Sequence, residues 1–184
     1  MQIRLATPQD AEALLQIYGY YVENTAVSFE YTTPTAEEFR GGIQKTLTEY
    51  PYSVAEENGK AVGYAYAAAF RSRQAYKHWA EVSIYIDRTH RGKGIGKALY
   101  TALEEILAKQ NICTLCACVA STDREDKHLT DASVKFHTNM GYRISGKHTD
   151  CGYKFNKWYS ICLMEKPIRE KELHPDAFIP FPAL

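Results

Sequence analysis

The feature that most constrains this chain is a glycine-rich turn between an apolar run and an amphipathic helix. The run Glu81 to Ile86 has the character of a strand, and residues 95–107 carry Ile and Leu on one helical face. Between them, the glycines in Arg91 to Gly96 allow a ligand to approach the backbone closely. The amides and dipole at the start of a helix favour an anion, and Arg91, Lys93 and Lys97 add positive charge. The turn therefore predicts a ligand that carries a pyrophosphate.

The spacing of the turn distinguishes three phosphate-binding schemes. The chain contains no Gly-x4-Gly-Lys-Ser/Thr run, and its glycines follow Gly-x-Gly-x-Gly rather than the Gly-x-Gly-x-x-Gly of a dinucleotide fold. A third pattern, Arg/Gln-x-x-Gly-x-Gly/Ala, is the signature of the GNAT acetyltransferase superfamily. Arg91, Gly94 and Gly96 satisfy that signature, so the turn resembles the one in GNAT enzymes. A glycine-rich turn without a ligand is the alternative.

Periodicity and capping signals along the chain predict an α/β (α+β) fold, with a mixed sheet and helices on both faces. Thr7-Pro8 with Asp10, and Thr35 with Glu38, each indicate a helix start, while Asn58-Gly59 indicates a hairpin. Residues 1–166 are expected to form one domain, followed by an irregular, proline-containing tail at 167–184. The predicted strands are 2–6, 52–56, 61–70, 81–86, 112–119, 142–148 and 158–164, and the predicted helices follow Thr7 and Thr35 and cover 95–107 and 132–140.

Charge and cysteine content narrow the class of protein. Lys plus Arg equals Asp plus Glu at 22 each, which argues against a protein that binds nucleic acid or an anionic membrane. Neither a signal-peptide pattern nor an apolar run of membrane-spanning length occurs, and the five cysteines do not form a paired framework. We therefore expect a cytoplasmic protein with reduced thiols.

The cysteine cluster Cys113-x-x-Cys116-x-Cys118 invites a zinc interpretation, which we reject. Structural zinc needs a second pair of ligands, and none follows at a suitable spacing. On a strand, Cys113 would also point away from Cys116 and Cys118. A role in core packing, and no metal, is predicted.

Beyond the turn, motifs in the same order along the chain resemble the phosphinothricin acetyltransferase branch of the GNAT superfamily. The resemblance runs from the first strand to Met164 and excludes the tail. The motifs that carry it are Tyr20 to Val22, Tyr50 to Tyr52, Gly63 to Ala67, Glu81 to Ile86, Arg91 to Gly96, Ser133 to His137, Gly141-Tyr142 and Gly152 to Lys154.

The resemblance implies that acetyl-CoA lies where two central parallel strands of a twisted, mostly antiparallel sheet splay apart. Its pantetheine would pair with the backbone of Ile84, Tyr85 and Ile86. Its pyrophosphate would contact Arg91 and the turn residues Gly92, Lys93, Gly94, Ile95, Gly96 and Lys97. The family usually has Asn where this chain has Thr130, and the loop 121–129 is longer than in the simplest members.

Two residues are candidates for the proton transfers of acetylation. The resemblance gives Glu81 the role of general base, although a carboxylate with a pKa near ~4.3 needs burial or a bridging water to act as one. His137 stands where many relatives have a tyrosine acid, and histidine titrates near neutral pH. A surface glutamate and a core histidine are the alternatives.

The acceptor implied by the resemblance is a small amino-acid-like amine, such as phosphinothricin, methionine sulfone or methionine sulfoximine. Arg71, Arg73 and Tyr76 precede the Glu81 strand, and a guanidinium there would clamp a carboxylate. Aromatic walls would come from Phe29, Tyr153 and Trp158, each with a core role as the alternative. The branch also implies a homodimer. An acyl-CoA-binding sensor without catalysis is the second hypothesis.

Overall fold

A computed structural model describes residues 1–184, and its centre is a seven-stranded sheet in the order β1-β2-β3-β4-β5-β7-β6. Every neighbouring pair is antiparallel except β4 and β5, which are parallel. The strands are β1 (Gln2–Leu5), β2 (Tyr52–Glu57), β3 (Lys60–Ala69), β4 (Trp79–Ile86), β5 (Thr114–Ser121), β6 (Arg143–Lys154) and β7 (Lys157–Pro167). The helices are α1 (Ala11–Asn24), α2 (Ala36–Leu47), α3 (Ile95–Lys109) and α4 (Ala132–Asn139).

Alternation along the strands places two apolar cores on opposite faces of the sheet. On one face, Val82 and Ala65 pack with α3 residues such as Leu99, and Phe136 of α4 packs against this core. On the other face, Tyr64 packs with buried residues of α1 and α2. Successive side chains of a strand point to opposite faces, so one sheet supports both layers. The predicted mixed fold with helices on both faces is confirmed.

The capping signals are present in the structure, but one of them acts differently from the prediction. At α2, the Thr35 hydroxyl accepts a bond from the Glu38 amide at 3.2 Å, and the Glu38 carboxylate accepts one from the Thr35 amide at 2.8 Å. The Thr7–Asp10 box instead closes a short 3₁₀ turn at Pro8–Asp10, and α1 begins at Ala11. The hairpin prediction is confirmed, since Asn58 and Gly59 join β2 to β3 with φ of 51° and 75°.

The C-terminal hairpin is longer than the sequence predicted. Strands β6 and β7 extend to a tight turn at Phe155-Asn156, where φ is 50° and 57°. The predicted strands end at residue 148 and resume at residue 158, whereas β6 continues to Lys154 and β7 begins at Lys157. A left-handed turn without glycine gives no clear signal in the sequence. Register shifts after Ile144 and His148 also interrupt the alternation that identifies a strand. Strand β5 begins two residues later than predicted, at Thr114.

The C-terminal tail packs on its own domain. Gln110 Nε2 donates to the Ile179 carbonyl and Asn111 Nδ2 donates to the Ala177 carbonyl, each at 2.8 Å. The Phe178 ring lies 5.3 Å from that of Tyr50. None of the helices combines the length and the apolar character needed to cross a membrane.

Candidate active site

Strands β4 and β5 form a cleft because they pair over only three positions. The last pair joins Glu81 to Cys116, and beyond it the two strands separate. We call the resulting space the strand cleft. Its lining residues are Val27, Val82 to Tyr85, Tyr100, Ala117 to Ala120, Ser133 and His137. The splayed parallel strands expected from the resemblance are therefore present.

Backbone alternation decides which groups of β4 face the strand cleft. The Asp87 amide donates to the Val62 carbonyl of β3 at 2.9 Å. Hydrogen-bonded pairs in an antiparallel ladder recur every second residue, so the backbone of Tyr85 also faces β3, opposite Tyr64. The backbone of Ile84 consequently faces the cleft. The amide and carbonyl of Ile86 face the same way, but both meet the Tyr21 hydroxyl, at 3.3 and 2.6 Å. Of the three residues predicted to pair with pantetheine, only Ile84 keeps free backbone groups toward the cleft.

The glycine-rich turn leaves the start of α3 open to an anion. Gly92 and Gly94 have φ of 75° and 80°, and a Cβ at either position would have no atom within 4 Å. Gly94 is the N-cap of α3 and supplies no side-chain cap, so the first amides of the helix remain available. Lys93 and Lys97 are exposed and form no ion pair. The Arg91 guanidinium lies 5.2 Å from the centre of the Tyr21 ring.

Gly96 also has a structural role that the sequence did not indicate. A Cβ at this position would lie 2.8 Å from an atom of the Phe136 ring. That distance is too short for carbon atoms, so only glycine lets α3 and α4 approach this closely. The third glycine of the motif thus serves helix packing.

Glu81 stands where the parallel pairing ends. Its side chain points to the face opposite Val82, and burial raises its pKa, while Arg71 opposes part of the shift. Burial, and next the Glu81 charge, raise the pKa of the Cys116 thiol to about 12, so this thiol stays protonated. Glu81 is thus a carboxylate beside the cleft that binds a proton more readily than an exposed glutamate does.

His137 is buried beside the strand cleft, and hydrogen bonds hold both of its ring nitrogens. Nδ1 lies 2.8 Å from the Ser133 carbonyl, which only accepts, so Nδ1 carries the proton in the neutral ring. Nε2 then accepts from the Tyr100 hydroxyl at 2.9 Å. Burial lowers the pKa of His137, which favours this neutral form. The ring therefore reaches the cleft as one partner of a Tyr100–His137 pair.

A second cavity lies between α1, α2 and the other face of the sheet, and we call it the aromatic cavity. Its volume is about 230 Å³, and six aromatic rings contribute to its wall. Tyr85 lines both this cavity and the strand cleft, so the two spaces adjoin across β4. Its lining residues are Tyr18, Glu30, Pro34, Glu38, Phe39, Gly42, Ile43, Thr46, Tyr52, Tyr64, Tyr66 and Tyr85.

The residues predicted to hold the acceptor line neither of these cavities. Arg73 is exposed, and Tyr76 packs edge-on against Phe70 at 5.7 Å. Phe29 fills the space beside Gly152, where a Cβ would collide with its ring. The Tyr153 ring is 46% exposed and lies 5.1 Å from Trp158. Thr130 is exposed, and its hydroxyl meets the Ala132 amide at 3.4 Å.

Lys154 is a buried cation, and sequence analysis noted it only as part of a motif. It is 4% exposed, and its ammonium group donates to the carbonyls of Val22, Thr25 and Ser28 at 2.7, 2.9 and 2.7 Å. An ammonium has three protons, so these carbonyls satisfy it fully. Lys154 thereby ties the C-terminal hairpin to the segment that carries Val27, a residue of the strand cleft.

The cysteines and other possible ligands form no metal centre. All five thiols are free, and no group of three or more His, Cys, Asp or Glu side chains is arranged to hold a metal ion. Cys113 is buried as predicted, but the core-packing prediction is wrong for Cys118, which is exposed and lines the strand cleft. Partial burial still raises the pKa of the Cys118 thiol.

Comparison with known proteins places this geometry among related folds. A family model described as an acetyltransferase (GNAT) domain matches residues 3–163. A phosphinothricin N-acetyltransferase of Streptomyces viridochromogenes is 30% identical over 166 residues, covering 90% of this chain and 87% of that protein. An L-methionine sulfoximine/L-methionine sulfone acetyltransferase of Salmonella typhimurium is 29% identical over 178 residues, covering 96% and 99%. A phosphinothricin acetyltransferase from Sinorhizobium meliloti, crystallised with acetyl-CoA, superposes with a TM-score of 0.86 at 31% identity, covering 95% of this chain and 92% of that one.

Proposed function

The chain belongs to the GNAT acetyltransferase family, and from this membership we propose that it transfers acetyl from acetyl-CoA to the primary amine of a small amino-acid-like substrate. The observation that carries the proposal is the strand cleft, which opens at Glu81 and is lined in part by Tyr100 of α3, the helix whose start has no side-chain cap. Relatives named for phosphinothricin and for methionine sulfoximine support an amino-acid-like acceptor.

The residues around the strand cleft fit acetyl-CoA. The turn Gly92 to Lys97 offers free amides and positive side chains to a pyrophosphate, with Arg91 beside it. Ile84 offers backbone groups to the amides of pantetheine, and the Tyr85 side chain and Ile86 complete that wall. Thr130 contributes at the rim. Acetyl-CoA supplies the acetyl group as a thioester, and everything else in the reaction is done by the chain and the acceptor.

We propose Glu81 as the general base. The amine must lose a proton before its nitrogen can bond to the thioester carbonyl carbon, and the raised pKa of Glu81 suits it to accept that proton, directly or through water. The C–N bond forms and the C–S bond breaks in one ternary complex. Of the two protons that an ammonium substrate gives up, one passes through Glu81 to solvent and the other ends on the sulfur.

We propose that His137 acts with Tyr100 on the departing sulfur. The Tyr100 hydroxyl and the His137 ring share a hydrogen bond beside the cleft, so the pair can pass to the thiolate the second proton that the substrate gives up. Backbone amides of β4 that face the cleft are the proposed donors to the carbonyl oxygen as it becomes negative.

On the acceptor side, we propose that Arg73 and Tyr76 orient the substrate carboxylate, while Phe29 and Tyr153 bound the site. Arg71 is the guanidinium whose charge acts on Glu81, and it is a further candidate for this carboxylate. The deciding experiment measures free-thiol release from acetyl-CoA with a panel of primary amines that includes phosphinothricin and methionine sulfone. Thiol release with an amino acid, together with its N-acetylated product, supports the proposal. Tight acetyl-CoA binding without release from any amine would contradict it and favour an acyl-CoA sensor.

We further propose that residues 1–166 form the catalytic domain of a cytoplasmic homodimer. Tyr153 and Trp158 leave adjoining rings exposed near the end of the C-terminal hairpin, and Ile144 is exposed farther along β6. Exposed apolar side chains of this kind commonly mark contacts between subunits. Sedimentation at micromolar concentration is expected to give the dimer mass. A chain truncated after Pro167 should also sediment as a dimer, because the removed tail packs on its own domain. A single species at the monomer mass would contradict the dimer.

A further inference from the structure

The aromatic cavity is large enough for a ligand and has one electrostatic character. Its volume of about 230 Å³ exceeds the ~150 Å³ of an engineered cavity that admits benzene. Among its lining residues, Glu30 and Glu38 are the only charged side chains. The Lys154 ammonium acts on Glu30, but it does not line the cavity, and three backbone carbonyls accept its protons. Both carboxylates are exposed, so they lie toward the mouth of the cavity.

The inner wall of the cavity presents a group of aromatic rings. Tyr52 and Tyr66 stack at 4.9 Å, Tyr64 lies 5.3 Å from Tyr85, and Tyr18 meets Tyr85 edge-on at 5.0 Å. Burial raises the pKa of Tyr52, Tyr64 and Tyr85 well above the ordinary value, so these phenols remain neutral. The hydrogen bonds at Thr35 lower the pKa of Glu38, which keeps that carboxylate ionised. The faces of neutral rings and a nearby carboxylate both attract a cation.

The cavity also lies where the side chain of an acceptor would extend. Glu81, Ser83 and Tyr85 share one face of β4, and each step of two residues along a strand covers about 7 Å. Tyr66, which lines the cavity, lies on β3 opposite Ser83, one step of two residues along β4 from Glu81. A substrate whose amine reaches Glu81 can therefore direct its side chain along this face into the rings.

We propose that the aromatic cavity is the subsite for the acceptor's side chain and that it selects a positively charged side chain. The proposal rests on the acetyl transfer proposed above and specifies its substrate class. An ammonium group in the cavity would contact ring faces, with Glu30 and Glu38 at the mouth. An anionic side chain would meet the same two carboxylates, with no cation among the lining residues to offset them. This enzyme should therefore disfavour the phosphinate of phosphinothricin, for which several relatives are named.

The test compares three amino acids of similar length, each with one reactive amine: Nε-trimethyllysine, norleucine and 2-aminoadipate. Their side chains end in a cation, a methyl group and an anion. Thiol release should give the highest kcat/KM for trimethyllysine and the lowest for 2-aminoadipate, with at least a tenfold span. Equal values, or the reverse order, would overturn the charge selection while leaving acetyl transfer intact.

Two glycines of α2 provide a matched pair of variants. Gly42 lines the cavity and Gly41 does not, and a Cβ at either position meets no atom within 4 Å. Gly42→Leu should place its side chain in the cavity and raise the KM for trimethyllysine about tenfold, leaving the KM for acetyl-CoA unchanged. Gly41→Leu should change neither constant. Both variants remove a glycine from a helix interior, so both should fold as well as the parent. Equal behaviour of the two variants would overturn the location.

A charge variant tests the carboxylates separately. Glu30→Gln should reduce the preference for trimethyllysine over norleucine, whereas Glu37→Gln, an exposed neighbour outside the cavity, should preserve it. If no amine in the panel releases thiol, the proposed function fails. In that case, calorimetric titration of trimethyllysine still decides the cavity: binding that is lost in Gly42→Leu supports the site, and absence of binding overturns it.

Discussion

The strand cleft and the aromatic cavity adjoin at Tyr85, yet they are built from different parts of the chain. The cleft depends on backbone: two diverging strands, the free groups of Ile84, and a turn whose glycines adopt positive φ. The cavity depends on side chains that converge from α1, α2 and three strands. A backbone-built site tolerates changes of side chain but responds to changes of backbone conformation, and a side-chain-built site should respond in the opposite way.

The largest expected effect is at Lys154, a buried side chain that holds the segment carrying Val27 of the strand cleft. Lys154→Met keeps the apolar stem but leaves three buried carbonyls without a donor, which should lower the free energy of unfolding by about 3 kcal/mol. Urea unfolding measures the loss. Lys157→Met is the matched control, because this lysine binds Asp126 at the partly exposed hairpin end and should cost about 1 kcal/mol or less. Equal losses would show that the buried ammonium contributes no special stability to the segment that it holds.

Glu81→Gln should have the next largest effect, about a hundredfold lower kcat, equivalent to about 2.7 kcal/mol. The KM for acetyl-CoA should stay near that of the parent, since the substitution preserves shape. The control is Glu165→Gln, because Glu165 flanks Cys116 from β7 as Glu81 does from β4. If Glu165→Gln lost as much activity as Glu81→Gln, the proposed role of Glu81 as the general base would be contradicted.

The pH dependence of activity sharpens the same point. A general base acts when deprotonated, so kcat/KM should fall as the pH drops through the pKa of Glu81. Burial raises that pKa, so the fall should begin at a higher pH than for an ordinary carboxyl group. A Glu81→Gln profile that keeps the acidic limb would assign the limb to another group.

In the backbone-built strand cleft, Gly94→Ala should raise the KM for acetyl-CoA about tenfold, which corresponds to about 1.4 kcal/mol of binding free energy. Gly59→Ala is its control, because Gly59 has a similar φ of 75° in the β2–β3 hairpin and is equally unobstructed. Both variants should lose about 1 kcal/mol of stability, since alanine resists a left-handed conformation. Only Gly94→Ala should weaken acetyl-CoA. Parallel changes in KM would show that strain, and not the turn, is responsible.

The smallest effect is expected at Thr130. Its side chain is exposed and contacts only the nearby Ala132 amide, so Thr130→Ala should raise the KM for acetyl-CoA by no more than about twofold. Initial rates at several acetyl-CoA concentrations measure this change. A tenfold rise would mean that side chains contribute to acetyl-CoA binding far more than the geometry of the strand cleft and the turn indicates.

The same contrast explains what the sequence predicted well. The glycine turn and the Thr35–Glu38 box are local patterns, in which neighbouring residues determine the conformation, and both occur as predicted in the structure. The position of Glu81 at the end of the parallel pairing also follows from a local motif. Local physics was sufficient for these features.

Other features depend on partners that are distant in sequence. The packing role of Gly96 could not be read from its motif, because its lack of a side chain is required by Phe136, forty positions later. The alternating Tyr64 and Tyr66 gave no hint of a cavity, because its other walls come from α1 and α2. Lys154 finds its acceptors about 130 positions earlier in the chain. No pattern within a short window identifies contacts of this kind.

The central claim is that acetyl passes directly from the strand cleft to an amine on the Glu81 face, with both substrates bound together. Cys118 lines the cleft, but burial raises the pKa of its thiol and disfavours the nucleophilic thiolate. Initial rates measured while both substrates are varied test the claim most directly. Direct transfer predicts double-reciprocal lines that intersect, and a protein whose mass is unchanged after incubation with acetyl-CoA alone. Parallel lines, together with an acetylated cysteine in the mass spectrum, would contradict it.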